Sequence, residues 1–541
     1  VPSGIARQAH CLPEPVVELN SLAQIEKAAR RGRNDSFRLG VGLIFAVMVM
    51  LWTTLTQDIA GPQGVMLVAA AVIGGYMAMN IGANDVANNV GPAVGSRAIS
   101  LMGAILMAAC FEMAGALIAG GDVVSTIQRG IVRADAVASP ERFVWLMLAA
   151  LLAGAIWLNV ATALGAPVST THSIIGAVLG AGIAAGGLEV ANWGRLGEIA
   201  ASWVISPLLG GAIAAGCLYW IKRGITWKAD MLQAARTQVP MLIGLMAAAF
   251  ATYLVLKGLN RIWRTSFLHA LLIGLIVGAL AWRLALSWVR ARAAGLAATK
   301  AGINALFTLP LVCAAALLSF AHGANDVANA VGPLAAIAET IRSGEISGRA
   351  PIPLWVMVVG ALGIALGLML YGPRLIRKVG SEITELDQMR AFCIAMSAAV
   401  TVILASQLGL PVSSTHIAVG GVFGVGFLRE WLKRRHAGAI EFIRLRHAGE
   451  DRAVVEAFLD RFQKASLDTQ RAMLRELKER REAVPISKFE RKQLRKEVQR
   501  QLVKRSEVAK IVAAWLVTVP VAALLGALLY FTIFGMVHAR G

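Results

Sequence analysis

Residues 82–92 read GANDVANNVGP, and residues 323–333 read GANDVANAVGP. A second pair lies further along: residues 167–172 are PVSTTH and residues 411–416 are PVSSTH. Asp326 follows Asp85 by 241 residues, and Pro411 follows Pro167 by 244. Two different motifs that recur in the same order at nearly one offset mark a duplicated unit. The repeat sets the frame for everything around it. One copy occupies 62–221 and the other 304–428 with 508–541, joined by residues 222–303 and preceded by an added stretch, 1–61.

Outside the motifs the chain is apolar in long blocks. Of 541 residues 57% are hydrophobic, 16% are charged, and the mean hydropathy is +0.65. A soluble domain carries about a quarter charged residues. Apolar blocks lie near 38–57, 62–84, 98–120, 143–165, 167–187, 198–221, 238–257, 266–290, 304–326, 352–371, 391–408, 411–427 and 510–536. Most have the length of about 20 residues that spans a bilayer's hydrocarbon core. The expected fold is an all-α polytopic membrane protein. The formal charge of +20 fits loops whose Lys and Arg fix topology and meet anionic lipid, rather than a nucleic-acid surface. The five cysteines (Cys11, Cys110, Cys217, Cys313, Cys393) are scattered, with no disulfide framework and no zinc spacing. Residues 1–37 are polar and lack the apolar core of a cleaved leader.

Residues 429–507 interrupt the second unit with 22 Lys or Arg against 13 Asp or Glu. Stretches such as 470–482 (QRAMLRELKERRE) suit charged, solvated helices, so this is expected to be a basic helical cytoplasmic insert. With the N-terminus and the insert both inside, every block could cross singly with the GAND segments opposed, 167–187 alone could fail to cross and leave them parallel, or 143–165 with 167–187 and 391–408 with 411–427 could form two re-entrant hairpins, the arrangement preferred here. That leaves nine full spans, with the two GAND segments opposed in direction. A proline break followed by hydroxyl and imidazole residues belongs where backbone lines a protein cavity, not in lipid.

The motifs carry oxygen ligands. On a helix Asn84, Asp85 and Asn88 share a side, as do Asn325, Asp326 and Asn329, with Gly82 or Gly323 able to open backbone carbonyls. A carboxylate and two amides suit a hard cation such as Na+, or a proton held on the aspartate. Asn and Asp also cap helices, but two copies that each carry an acid at membrane depth point to an ion path. Ser169, Thr170 and Thr171, with Ser413, Ser414 and Thr415, put six hydroxyls at the starts of two half-helices. Exposed N–H groups and the helix dipole there attract anions. Glu112 is an intramembrane acid with no cation near it in sequence, and so a coupling candidate. His172, His416 and His322 read as satisfied structural donors. Neither motif has Lys or Arg, so the acids would repel an anion until cations or protons neutralise them. That order of events would couple the two. Hydrogen phosphate has O–H donors for a carboxylate and sulfate has none, which favours phosphate.

The paired GANDVAN and PVS[ST]TH motifs, the FEMAG stretch around Glu112 and residues 375–386 (LIRKVGSEITEL) resemble the inorganic phosphate transporter family of the PiT type. The resemblance covers 62–221 and 304–427 and extends into the final span. It implies two inverted repeats, each with a re-entrant hairpin, and phosphate held by Ser169, Thr170, Thr171, Ser413, Ser414 and Thr415, with Asp85 and Asp326 in reach. Cation binding and coupling would fall to Asn84, Asp85, Asn88, Asn325, Asp326, Asn329 and Glu112. The implied protein is a phosphate:cation symporter, with Na+ or H+ as the coupled ion. It would sit in the bacterial cytoplasmic (inner) membrane, with no cofactor, no metal beyond a sodium site, and lipid as its surroundings. A homodimer is one assembly this allows. A sulfate permease of the same fold and an anion channel are the competing readings. A membrane enzyme lacks support, since there is no nucleophile–base pair, phosphate-binding loop or metal-ligand cluster in the sequence.

Overall fold

The computed structural model describes residues 16–57, 61–164, 168–258, 265–346, 352–382, 386–434, 443–447, 451–464 and 505–538, with short pieces between 469 and 494. The expected break at 165–167, the first 15 residues and most of 470–482 lie outside the described residues. The helices are α1 (Val16–Thr56), α2 (Gly61–Asn84), α3 (Val86–Gly95), α4 (Leu101–Ala119), α5 (Gly121–Arg129) and α6 (Pro140–Ala163). They continue as α7 (Thr170–Gly186), α8 (Trp193–Ile221), α9 (Met231–Lys257), α10 (Phe267–Ala294), α11 (Lys300–Leu306) and α12 (Thr308–Asp326). The last are α13 (Ala328–Ser343), α14 (Leu354–Glu382), α15 (Gln388–Gln407), α16 (Ser414–Arg434), α17 (Asp451–Lys464) and α18 (Arg505–His538). The described residues contain no strand, only an isolated bridge between Val132 and Ala191.

Each of the thirteen apolar blocks is a helix. Among the described residues, 11 segments are long and apolar enough to cross a membrane, so this is an integral membrane protein. Nine fall on the expected full spans; the other two, α6 and α15, are the first arms of the expected hairpins. The second arm α7 has 17 residues, a rise of about 26 Å against a core of about 30 Å.

One expectation changes. The apolar blocks 62–84 and 304–326 end at the aspartates, yet each helix breaks there and continues. The apolar segments run Gly61–Gly95 and Thr308–Ser343. At the first break the hydrogen-bond ladder slips to an i,i+3 bond, Asn88 N–H to the Asp85 carbonyl at 3.0 Å. At the second, Ala330 N–H bonds the Val327 carbonyl at 3.1 Å. The continuations α3 and α13 are almost wholly buried. Their Asn, Gly and Pro content hides them from a search for unbroken apolar runs.

The two units pack on each other reciprocally. α4 lies against α12, and its counterpart α14 lies against α2; α8 packs on α15 and α16, and α18 on α6 and α7. In these pairs each first-unit contact has a second-unit partner with the roles exchanged. In a membrane such contacts rest on close backbone approach rather than on the hydrophobic effect. A Cβ on Gly82 would stand 1.9 Å from the Ile364 carbonyl oxygen, and one on Gly323 would stand 2.2 Å from that of Glu112. These glycines therefore seat helix on helix, a different use from the opened carbonyls expected of them.

The described part of the insert has an apolar core of its own. Val455, Phe458, Leu459 and Phe462 of α17 bury against Ile443, Leu477, Ile486 and Leu494. Ser487 and Glu490 form a reciprocal cap, Ser487 N–H to Glu490 Oε2 at 2.8 Å and Glu490 N–H to Ser487 Oγ at 3.2 Å.

Candidate functional site

The duplicated motifs converge at the centre. Ser169 Oγ accepts the His172 N–H at 3.2 Å, and Ser413 Oγ accepts the His416 N–H at 3.3 Å. Each serine thus caps the start of its half-helix, α7 or α16, and fixes the direction of the hydroxyls that follow. Thr170 donates to Asp85 Oδ2 at 2.7 Å, and Thr415 donates to Asp85 Oδ1 at 3.1 Å. One carboxylate therefore ties together hydroxyls from both units. Asn88 Nδ2 donates to Thr415 Oγ1 at 2.9 Å, while Asn329 Nδ2 reaches Thr170 Oγ1 at 3.1 Å and Thr171 Oγ1 at 3.2 Å. Each unit's asparagine holds the other unit's hydroxyl cluster. Ser414 Oγ donates to Asp326 Oδ2 at 3.4 Å, and Thr171 Oγ1 to the Val412 carbonyl at 3.0 Å.

The remaining amides tie this centre to α6 and α15. Asn84 Nδ2 donates to Thr162 Oγ1 of α6 at 2.9 Å, and its Oδ1 is buried without a partner. Asn325 is satisfied with its nitrogen on Asp326 Oδ1 (3.1 Å) and the Val412 carbonyl (3.2 Å), and its oxygen accepting from Ser406 (3.1 Å). Thr126 of α5 donates to the Gly409 carbonyl at 2.7 Å and so braces the turn ahead of Pro411.

Glu112 joins the same centre. His322 Nδ1 lies 2.7 Å from Glu112 Oε2, and its Nε2 lies 2.9 Å from Asp326 Oδ2, all three side chains fully buried. Asn89 Nδ2 donates to Glu112 Oε1 at 2.9 Å. The acid that had no partner near it in sequence thus has an imidazole 210 residues away. His322 is not a bland donor but the bridge between two acids. Asp85, His322 and Asp326 present ligand atoms within 4.8 Å of one another. Among the described residues no lysine or arginine is buried. Three carboxylates therefore share one imidazole, a centre suited to cations.

His172 and His416 contradict the reading as satisfied donors. Both ring nitrogens of His172 and Nε2 of His416 are buried with no hydrogen-bond partner. The rings pack on each other at 4.4 Å and on Trp203 (3.8 Å) and Trp515 (3.6 Å), as an aromatic backing behind the two hydroxyl clusters. Sequence reasoning missed Asn89, Thr162, Ser406 and the bridging place of His322. Asn89 stands inside the GAND motif and could have been weighed; the others are set by packing alone.

Fold and centre together define a multi-span membrane protein with a buried, duplicated polar centre. The sequence matches the model of the phosphate transporter family over residues 81–526. Two Helicobacter pylori proteins named "Putative phosphate permease" are each 52% identical over 524 residues, covering 95% of this chain and 98% of their own. A Pyrococcus abyssi protein of the same description is 38% identical over 67% of this chain and 89% of its own length. A solved structure described as the sodium-dependent phosphate transporter has a TM-score of 0.71 at 30% identity, covering 87% of this chain and 99% of that one. The chain belongs to the phosphate transporter family.

Proposed function

We propose that the protein imports inorganic phosphate by symport with a cation across a bacterial cytoplasmic membrane. The observation that carries this is Asp85, whose two carboxylate oxygens accept hydroxyls from the two separate Ser-Thr clusters. A bound phosphate would take those hydroxyl donors, together with N–H groups at the starts of α7 and α16. Its own O–H groups would face Asp85 and Asp326. Asn84, Asn88, Asn325 and Asn329, with the two aspartates, would hold the coupled cations. Glu112 would act through His322 on Asp326. The acids outnumber the imidazole, so a multiply charged anion settles only after cations have entered. Na+ is the cation favoured, because the similar solved structure is described as sodium-dependent. The reciprocal packing of the units supports an inverted repeat in which α6–α7 and α15–α16 re-enter. In that topology the N-terminus and the 429–507 insert are cytoplasmic.

Labelled-phosphate uptake into reconstituted vesicles tests the reading, with a Na+ gradient compared against a proton gradient and excess sulfate as competitor. Na+-driven uptake that sulfate does not suppress is expected. Uptake driven only by protons would replace the cation, and suppression by sulfate would replace the substrate. Flux indifferent to both gradients would replace the symporter with a channel.

A further inference from the structure

A cavity of about 460 Å³ lies between α1 and the faces of α2, α6 and α14, beside the central site and not lined by its aspartates or hydroxyl clusters. Its lining is of two kinds. Arg38, Arg374 and the phenols of Tyr76 and Tyr371 supply charged and polar groups. The remaining lining is mostly apolar, including Leu39 and Leu43 of α1 and Val72 and Ile73 of α2, with Asn80, Asn159 and Thr162 as its other polar residues. The depth of the two arginines decides what this shape is for. Arg38 stands three residues inside the start of the span Asp35–Thr56, and Arg374 three residues before the end of the span Leu354–Arg377. α1 and α14 thus bring both guanidinium groups to one bilayer face, at the level of lipid headgroups. Arg38 shares its charge with Asp35 at 3.2 Å, a pair more than half exposed on the acid side; Arg374 is exposed.

We propose that this cavity seats one anionic phospholipid of that leaflet. Its phosphate lies between Arg38 and Arg374 with the tyrosine hydroxyls as further donors, and its acyl chain lies along Leu39, Leu43, Val72 and Ile73. Guanidinium groups recognise a phosphate with paired donors. A free phosphate ion has no use for the apolar length behind them, whereas an acyl chain does. The cavity exists because of α1, which precedes the family match beginning at residue 81. Its floor includes Asn80 and Thr162, and Thr162 accepts the hydrogen bond of Asn84, the residue before the break at Asp85. The lipid would therefore brace the wall on which the first helix break rests.

Thermal unfolding of the purified full-length protein tests this, with added phosphatidylglycerol, phosphatidylcholine or inorganic phosphate alone. Phosphatidylglycerol should protect at concentrations on the order of tenfold below phosphatidylcholine, the scale that two arginines at an anionic surface supply. Arg38→Gln with Arg374→Gln should remove that preference, and Arg38→Lys with Arg374→Lys should keep most of it. Native mass spectra of the unaltered protein, which need no variant, should retain phosphatidylglycerol over phosphatidylcholine. Equal protection by the two lipids overturns the proposal, as does a preference unchanged in the glutamine pair. Protection by inorganic phosphate that vanishes in the glutamine pair overturns it too, and assigns the arginines to free phosphate.

Discussion

Replacing Asp85 by Asn and Thr415 by Val, singly and together, tests whether one carboxylate couples the two halves of the centre. Thr415 donates to Asp85 Oδ1 at 3.1 Å and accepts from Asn88 at 2.9 Å, with all three side chains buried. A hydrogen bond to a charged group contributes about 1.5–3 kcal/mol. Each single variant also changes solvation and packing, so only the cycle isolates the pair. The interaction term should be about 1–3 kcal/mol, with the double variant less destabilised than the sum of the singles. For a protein of this size that is a departure from additivity of a few degrees in Tm. Thermal unfolding of the purified protein gives the cycle, and labelled-phosphate uptake in proteoliposomes gives the consequence. Asp85→Asn should insert normally and lose gradient-driven uptake. Additive Tm values would refute the coupling drawn from the geometry, and full uptake by Asp85→Asn would refute the role of the acid.

Glu112→Gln should reduce uptake at least tenfold, because it removes the carboxylate charge that lies buried 2.7 Å from His322 and so alters the charge balance of the centre; uptake within twofold of wild type would exclude Glu112 from coupling. Gly323→Ala places a methyl 2.2 Å from the Glu112 carbonyl oxygen, a contact with backbone that α12 relieves only by moving off α4; an overpacking cost of about 1–3 kcal/mol should appear as lower Tm together with reduced uptake. In the insert, burial raises the Glu490 carboxyl, but hydrogen bonds from Ser487 and contact with His447 outweigh it and hold the group below its ordinary value of 4.5. A depressed carboxylate adds stability above its unfolded pKa that is lost as pH falls through the folded one. Amide exchange in α17 should therefore accelerate below pH 4.5, and Glu490→Gln should flatten that acid dependence.

The sequence by itself determined the class, the spans and the motif residues that meet at the centre, but not Asn89 or the place of His322. Bilayer thickness turns hydropathy into helices almost without reference to tertiary contacts, so thirteen apolar blocks became thirteen helices. Duplication exposed Asp85, Asp326 and the hydroxyl clusters, because two copies separate a signal from the ordinary uses of Asn, Ser and Thr. Tertiary structure alone decided who touches whom. His322 meets Glu112 across 210 residues, and Thr415 meets Asp85 across 330. Pairings at that separation leave no local pattern, since helix periodicity relates only residues three or four apart. The breaks after α2 and α12 were also structural facts. Short helices such as α3, interrupted by Asn, Gly and Pro, show no unbroken apolar run and hold their shape by burial between the two units.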